Sequence, residues 1–128
     1  MSFPVTSIYA AIFTVLVIVL ANIVSARRGK TGISILHGDD MNLALWIRRH
    51  GNLLETLPLA LLLMALCEAA QLPALWLNAF GIGLLAARLA HLIGLSVDRP
   101  TAPLRIAGGA LTQLLMLAAA AWLIWSLL

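Results

Sequence analysis

The sequence predicts an all-α integral membrane protein, a four-helix bundle forming one domain over residues 1–128, and three observations carry that reading. Hydrophobic residues make up 62% of the 128 and charged residues 10%, against about 45–50% and about 25% in soluble domains. Four long apolar runs each approach the roughly 20 residues that cross about 30 Å of hydrocarbon. Apart from Arg88, the eight Lys and Arg gather around two polar connections. Such residues need water or phosphate, so the net charge of +3 points to lipid headgroups or an anionic ligand and away from nucleic acid.

The first span is read as residues 3–26, with Leu, Val and Ile at its centre. No Lys or Arg precedes it and Arg27, Arg28 and Lys30 follow it, a pattern opposite to a secretory signal, so it is expected to stay in the protein. Thr31 to Met41, ending in Gly38-Asp39-Asp40, reads as a loop whose Asp39, Asp40 or Asn42 caps the next helix. That second span, about 43–70, holds Pro58, where a kink is expected. Gln71-Leu72-Pro73 reads as a tight turn, with Pro73 opening a third span over about 73–95. Ser96 to Ala102 is the second polar connection, and the fourth span runs over 104–128. The distribution of positive charge predicts both loops on the cytoplasmic side and both termini outside. The single cysteine, Cys67, excludes an internal disulfide framework and reads as packing.

Charged groups inside membrane helices cost roughly 2.5–3.5 kcal/mol each at the bilayer centre, so they should face a cavity or a partner. Arg48, Asn52 and Glu55 are spaced i, i+4, i+7, on one face of the second helix. Arg88 and His91 lie three apart on the third helix, and Arg105 opens the fourth. This set suits a small ligand with carboxylates, held by paired guanidinium hydrogen bonds, and an amine for Glu55. In the structural alternative Glu55 simply neutralises Arg48 or Arg88. Arg27, Arg28, Lys30, Arg49 and His50 are expected at headgroups, and Trp46, Trp76, Trp122 and Trp125 in interfacial belts. No histidine has a partner at metal-ligand spacing, so no metal is expected. The first span holds no acidic residue, which argues against a small proton-coupled exporter.

Ile47-Arg48-Arg49-His50-Gly51-Asn52-Leu53-Leu54-Glu55-Thr56-Leu57-Pro58 resembles the signature of the MAPEG superfamily, the membrane-associated proteins in eicosanoid and glutathione metabolism. Ala87-Arg88-Leu89-Ala90-His91 resembles the family's third-helix motif, and Ala102-Pro103-Leu104-Arg105 the start of its fourth. The resemblance spans the chain and is greatest to the short bacterial inner-membrane branch. It implies a homotrimer binding glutathione as co-substrate between subunits. Arg48, Asn52, Glu55, Arg88 and His91 would be the binding residues, and Arg105, or alternatively Arg99, the catalytic arginine beside the thiol. A lipophilic small molecule would arrive from the lipid. The implied activity is glutathione transfer to electrophiles or reduction of hydroperoxides. Leu95 stands where many eukaryotic members have tyrosine, which leaves a non-catalytic ligand-binding or packing module of the same fold as the alternative.

Overall fold

The computed structural model describes residues 2–128 and consists of four helices: α1 (Pro4–Thr31), α2 (Met41–Ala69), α3 (Ala74–Gly94) and α4 (Pro103–Ser126). Each is long and apolar enough to cross a membrane, and the chain is a multi-pass integral membrane protein. The large apolar side chains that point outward, among them Ile8, Val15, Leu59, Leu62, Ile82 and Leu114, meet hydrocarbon there, so their exposure costs nothing. Phe13, Leu53, Leu57, Ala60, Met64 and Leu84 point inward and form the core.

The apolar run of the first span ends at Ala26, but its helix continues to Thr31. The extra turn carries Arg27, Arg28 and Lys30, cations that the negative end of the helix dipole favours. Gly32 then stops it in the left-handed region at φ 70°, its N–H donating to the Arg28 carbonyl, the conformation glycine adopts without a side-chain clash. Of three candidate caps for α2, Asp40 does the work: its Oδ1 accepts from the Asn42 and Leu43 amides at 2.9 and 3.1 Å. Helix α2 runs unbroken through Pro58. Pro73 is the residue before α3, with extended ψ, while Pro103 occupies the first position of α4, where its missing N–H costs nothing.

The helices associate chiefly as two hairpins, α1 with α2 and α3 with α4. Carboxylates fasten the first hairpin at both ends. Asp40 also accepts from Arg27 at 3.0 and 3.2 Å. At the opposite end Glu68, near the close of α2, accepts from the Val5 and Thr6 amides at 2.9 and 2.8 Å. The second hairpin closes by backbone contact. A side chain at Gly94 would strike the backbone of Leu104 and Arg105, and one at Gly108 the backbone of Ala87 and His91; small residues permit this approach in membrane bundles.

Candidate functional site

The polar residues of α2, α3 and α4 gather at the end of the bundle that carries the two loops. Arg48 and Glu55 are two helical turns apart on α2 and close on each other, Nη1 to Oε1 at 2.6 Å and Nη2 to Oε2 at 3.1 Å. Of the two partners open to Glu55, the structure selects Arg48. Their side chains are 55% and 53% exposed, so this forked pair lies on the outside of the single chain.

Asn52, on the intervening turn, points the other way chemically. Its Oδ1 accepts from Arg88 Nη1 at 3.1 Å, and the same nitrogen donates to Thr56 Oγ1 at 3.0 Å. Arg88 Nη2 reaches the Gly108 carbonyl at 3.4 Å, which also accepts from Thr112 at 2.8 Å. With 4% of its surface exposed, Arg88 joins α2, α3 and α4 from inside. A guanidinium has five donors in a fixed fork, and this one spends its terminal nitrogens on the protein itself, while its Nε has no protein acceptor. The residues around it, Arg49, Asn52, Leu53, Arg88, His91 and Leu92, enclose about 10 Å³, no more than one water occupies.

His91 lies half-buried against α4 at Gly108 and Gly109. Arg105 is held by its own loop, donating from Nη1 to the Pro100 carbonyl at 3.1 Å. The Arg99 side chain sits in the same exposed loop, its amide bonded to Ser96 Oγ. The structure therefore brings together Arg48 with Glu55 and Asn52 with Arg88, with His91 within electrostatic range of Arg88, Arg105 and Arg48, while Arg105 bonds to neither pair.

Three of the cations expected at headgroups also have partners within the protein. Arg27 binds Asp40, and Arg28 donates to the Ile33 and Leu36 carbonyls at 3.1 and 3.0 Å. Arg49 donates to the Leu95 carbonyl at 2.9 Å and stacks on Trp46, 4.6 Å from its ring centroid, so Trp46 is a cation–π platform as well as an aromatic near the helix start. Arg27 is thus held by a carboxylate, Arg28 by carbonyls of the loop after α1, and Arg49 by the carbonyl left free at the end of α3.

Sequence reasoning missed Thr56 and the Gly108 carbonyl as partners of Arg88, and missed Glu68 altogether. A signal for Glu68 existed: α1 begins at Pro4 without a side-chain cap at Phe3, and its unpaired amides require an acceptor from elsewhere. Among the described residues no three His, Cys, Asp or Glu side chains come close enough to hold a metal.

The family model described as the MAPEG family matches residues 6–125. No curated protein and no solved structure matches the chain.

Proposed function

Because the chain belongs to the MAPEG family, which includes glutathione transferases and peroxidases as well as non-catalytic members, we propose that it binds glutathione and transfers it to lipophilic electrophiles or uses it to reduce lipophilic hydroperoxides. The observation that carries this reading is the exposed Arg48–Glu55 pair on a membrane helix. A charge pair in that setting calls for cover, and a neighbouring copy of the chain in a homotrimer would provide it.

Chemistry supports the same assignment. The γ-glutamyl end of glutathione carries a carboxylate and an ammonium, so it can replace both halves of the pair at once, carboxylate to Arg48 and ammonium to Glu55. Because the ligand returns a partner to each of Arg48 and Glu55, opening the pair leaves neither charge uncompensated, the condition on which a covered ion pair can be exchanged. The Arg88 network is different: its two terminal nitrogens are engaged by the protein, and the adjoining space of about 10 Å³ admits no peptide. We assign Arg88 as a positioning residue that aims Asn52, with His91 beside it on the same helix. Arg105, or Arg99, would face the thiol. A thiol of pKa about 8.5 is mostly protonated at neutral pH, and a nearby guanidinium favours the thiolate that attacks an electrophile or peroxide. On this reading the loops and the site face the cytoplasm, the protein resides in a bacterial inner membrane, and residues 1–128 act as one domain.

One observation favours a second reading, a ligand-binding module without turnover. The only tyrosine, Tyr9, bonds to Asn78 on α3 at 3.0 Å, thirteen residues, or about 20 Å of helix, from His91. No phenol therefore stands beside the arginines.

The test is calorimetric titration of the detergent-solubilised protein with glutathione, followed by turnover of 1-chloro-2,4-dinitrobenzene and cumene hydroperoxide. Glu55→Gln should weaken binding about tenfold, or about 1.4 kcal/mol, with the oligomer intact. Arg105→Leu should abolish turnover and keep binding. Binding without turnover in the wild type selects the ligand-binding module, and absence of binding at millimolar ligand refutes the glutathione reading and leaves a non-catalytic packing module of the same fold.

A further inference from the structure

A cavity of about 550 Å³ opens at the far end of the bundle from the arginines, within the roughly 300–1,000 Å³ typical of small-molecule sites. Its floor is Met64 and Cys67 of α2, each 1% exposed. Leu77, Phe80, Leu115 and Ala119 form the walls, and the rim is exposed at Trp76 and Ala79 of α3 and at Ala118 of α4. The mouth therefore lies between α3 and α4. Leu75 and Ile82 flank it on one helix and Leu114 and Leu117 on the other, all pointing outward, so it opens into the hydrocarbon of the membrane.

Three occupants can be weighed. Water needs two to four polar partners, and the cavity offers a thiol already facing the Ala119 carbonyl at 3.7 Å and the two indoles of Trp76 and Trp122. An empty space of this size would forfeit the dispersion contacts of every wall atom. Two turns of a helix of another copy, about 10 Å across and about 11 Å long, would displace roughly 850 Å³, more than the cavity of about 550 Å³ holds. No charged residue lines the cavity, so the occupant is uncharged, flexible and apolar. We propose that the cavity holds one acyl chain of a bilayer phospholipid, threaded between α3 and α4 with its end against Met64 and Cys67. This site is separate from the arginine cluster: Leu57, Ala60 and Leu84, all buried, fill the core between the two.

The experiment uses the full chain in phosphatidylcholine vesicles containing a phosphatidylcholine with a mid-chain diazirine, with photolysis followed by peptide mapping. Labelling at Met64, Cys67 and Phe80 should exceed that at outward-facing Leu62 and Leu114 several-fold. Ala118→Phe, which fills the mouth from the rim, should cut the inner labelling several-fold and leave Leu62 and Leu114 unchanged. Ala79→Phe approaches from the opposite rim and serves if the first variant fails to fold. Inner labelling no greater than outer labelling, or insensitive to both variants, overturns the proposal. So does inner labelling that is absent in the oligomer and appears only when copies are dissociated, an outcome that would fill the cavity with side chains of a second copy.

Discussion

At Gly94 and Gly108 the helices α3 and α4 touch backbone to backbone, whereas about 15–22 Å further along, at Ala79 and Ala118, the same helices part around a cavity of about 550 Å³. The closed end carries polar groups that must find partners, and close approach is what lets Arg88 reach Asn52, Thr56 and the Gly108 carbonyl together. The open end carries bulky Trp76, Phe80 and Trp122 and a single thiol. Inside a bilayer an apolar gap is filled by the solvent itself, so nothing there demands that the helices close. Polar satisfaction thus dictates packing at one end, and at the other packing is left to the lipid.

The sharpest way to break this contrast is Gly108→Leu. The added side chain meets backbone rather than a movable side chain, so α3 and α4 must separate and Arg88 loses an acceptor. Overpacking of this kind costs about 3 kcal/mol, and thermal unfolding in micelles should show it. Ala118→Phe, on the open end of the same helix, should change stability by less than about 0.5 kcal/mol. Equal effects at the two sites would mean that the ends are equally tight.

Glu68 tests whether the open end has any polar tie of its own. It is 9% exposed and caps α1 from a different helix, and hydrogen bonds to a charged acceptor contribute about 1.5–3 kcal/mol. Glu68→Ala should destabilise by about 2 kcal/mol and accelerate amide exchange at Val5 and Thr6. Glu68→Gln, retaining one acceptor oxygen, should fall between. An unchanged exchange rate in the alanine variant would show that Glu68 does not hold the first turn of α1, leaving apolar packing and the Tyr9–Asn78 hydrogen bond.

How legible all this was in the sequence follows the range of the interactions. Four helices were readable because their apolar runs exceed a bilayer's width, and the shared face of Arg48, Asn52 and Glu55 because helical spacing is local. Periodicity does not reveal which of two arginines Glu55 chooses, nor that Arg49 turns inward to Leu95, forty-six residues away. Glu68 was hidden by its setting at the end of an apolar run, since its partners lie sixty-two and sixty-three residues off. The cavity was equally invisible, because it is a property of three helices and of none singly.

The smallest effect belongs to Asp40, the half-buried counterpart of Glu68 at the loop end. The hydrogen bond from Arg27, reinforced by the Leu43 amide, holds its carboxyl below the ordinary value. A carboxylate depressed in the folded state stabilises above its unfolded pKa, about 3.9, and that contribution is lost as pH falls through the lowered folded value. Neutral pH therefore sees the cap fully formed, and only below about pH 4 should it weaken. Exchange at Asn42 and Leu43, corrected for the intrinsic rate, should rise there while Val5 and Thr6, at the far end, follow their own carboxylate. Arg27→Gln removes the largest cause of the depression, so it should move the midpoint at Asn42 and Leu43 upward in pH. A midpoint that stays put would mean that the backbone amides alone hold Asp40 charged and that α1 and α2 are not coupled through this pair.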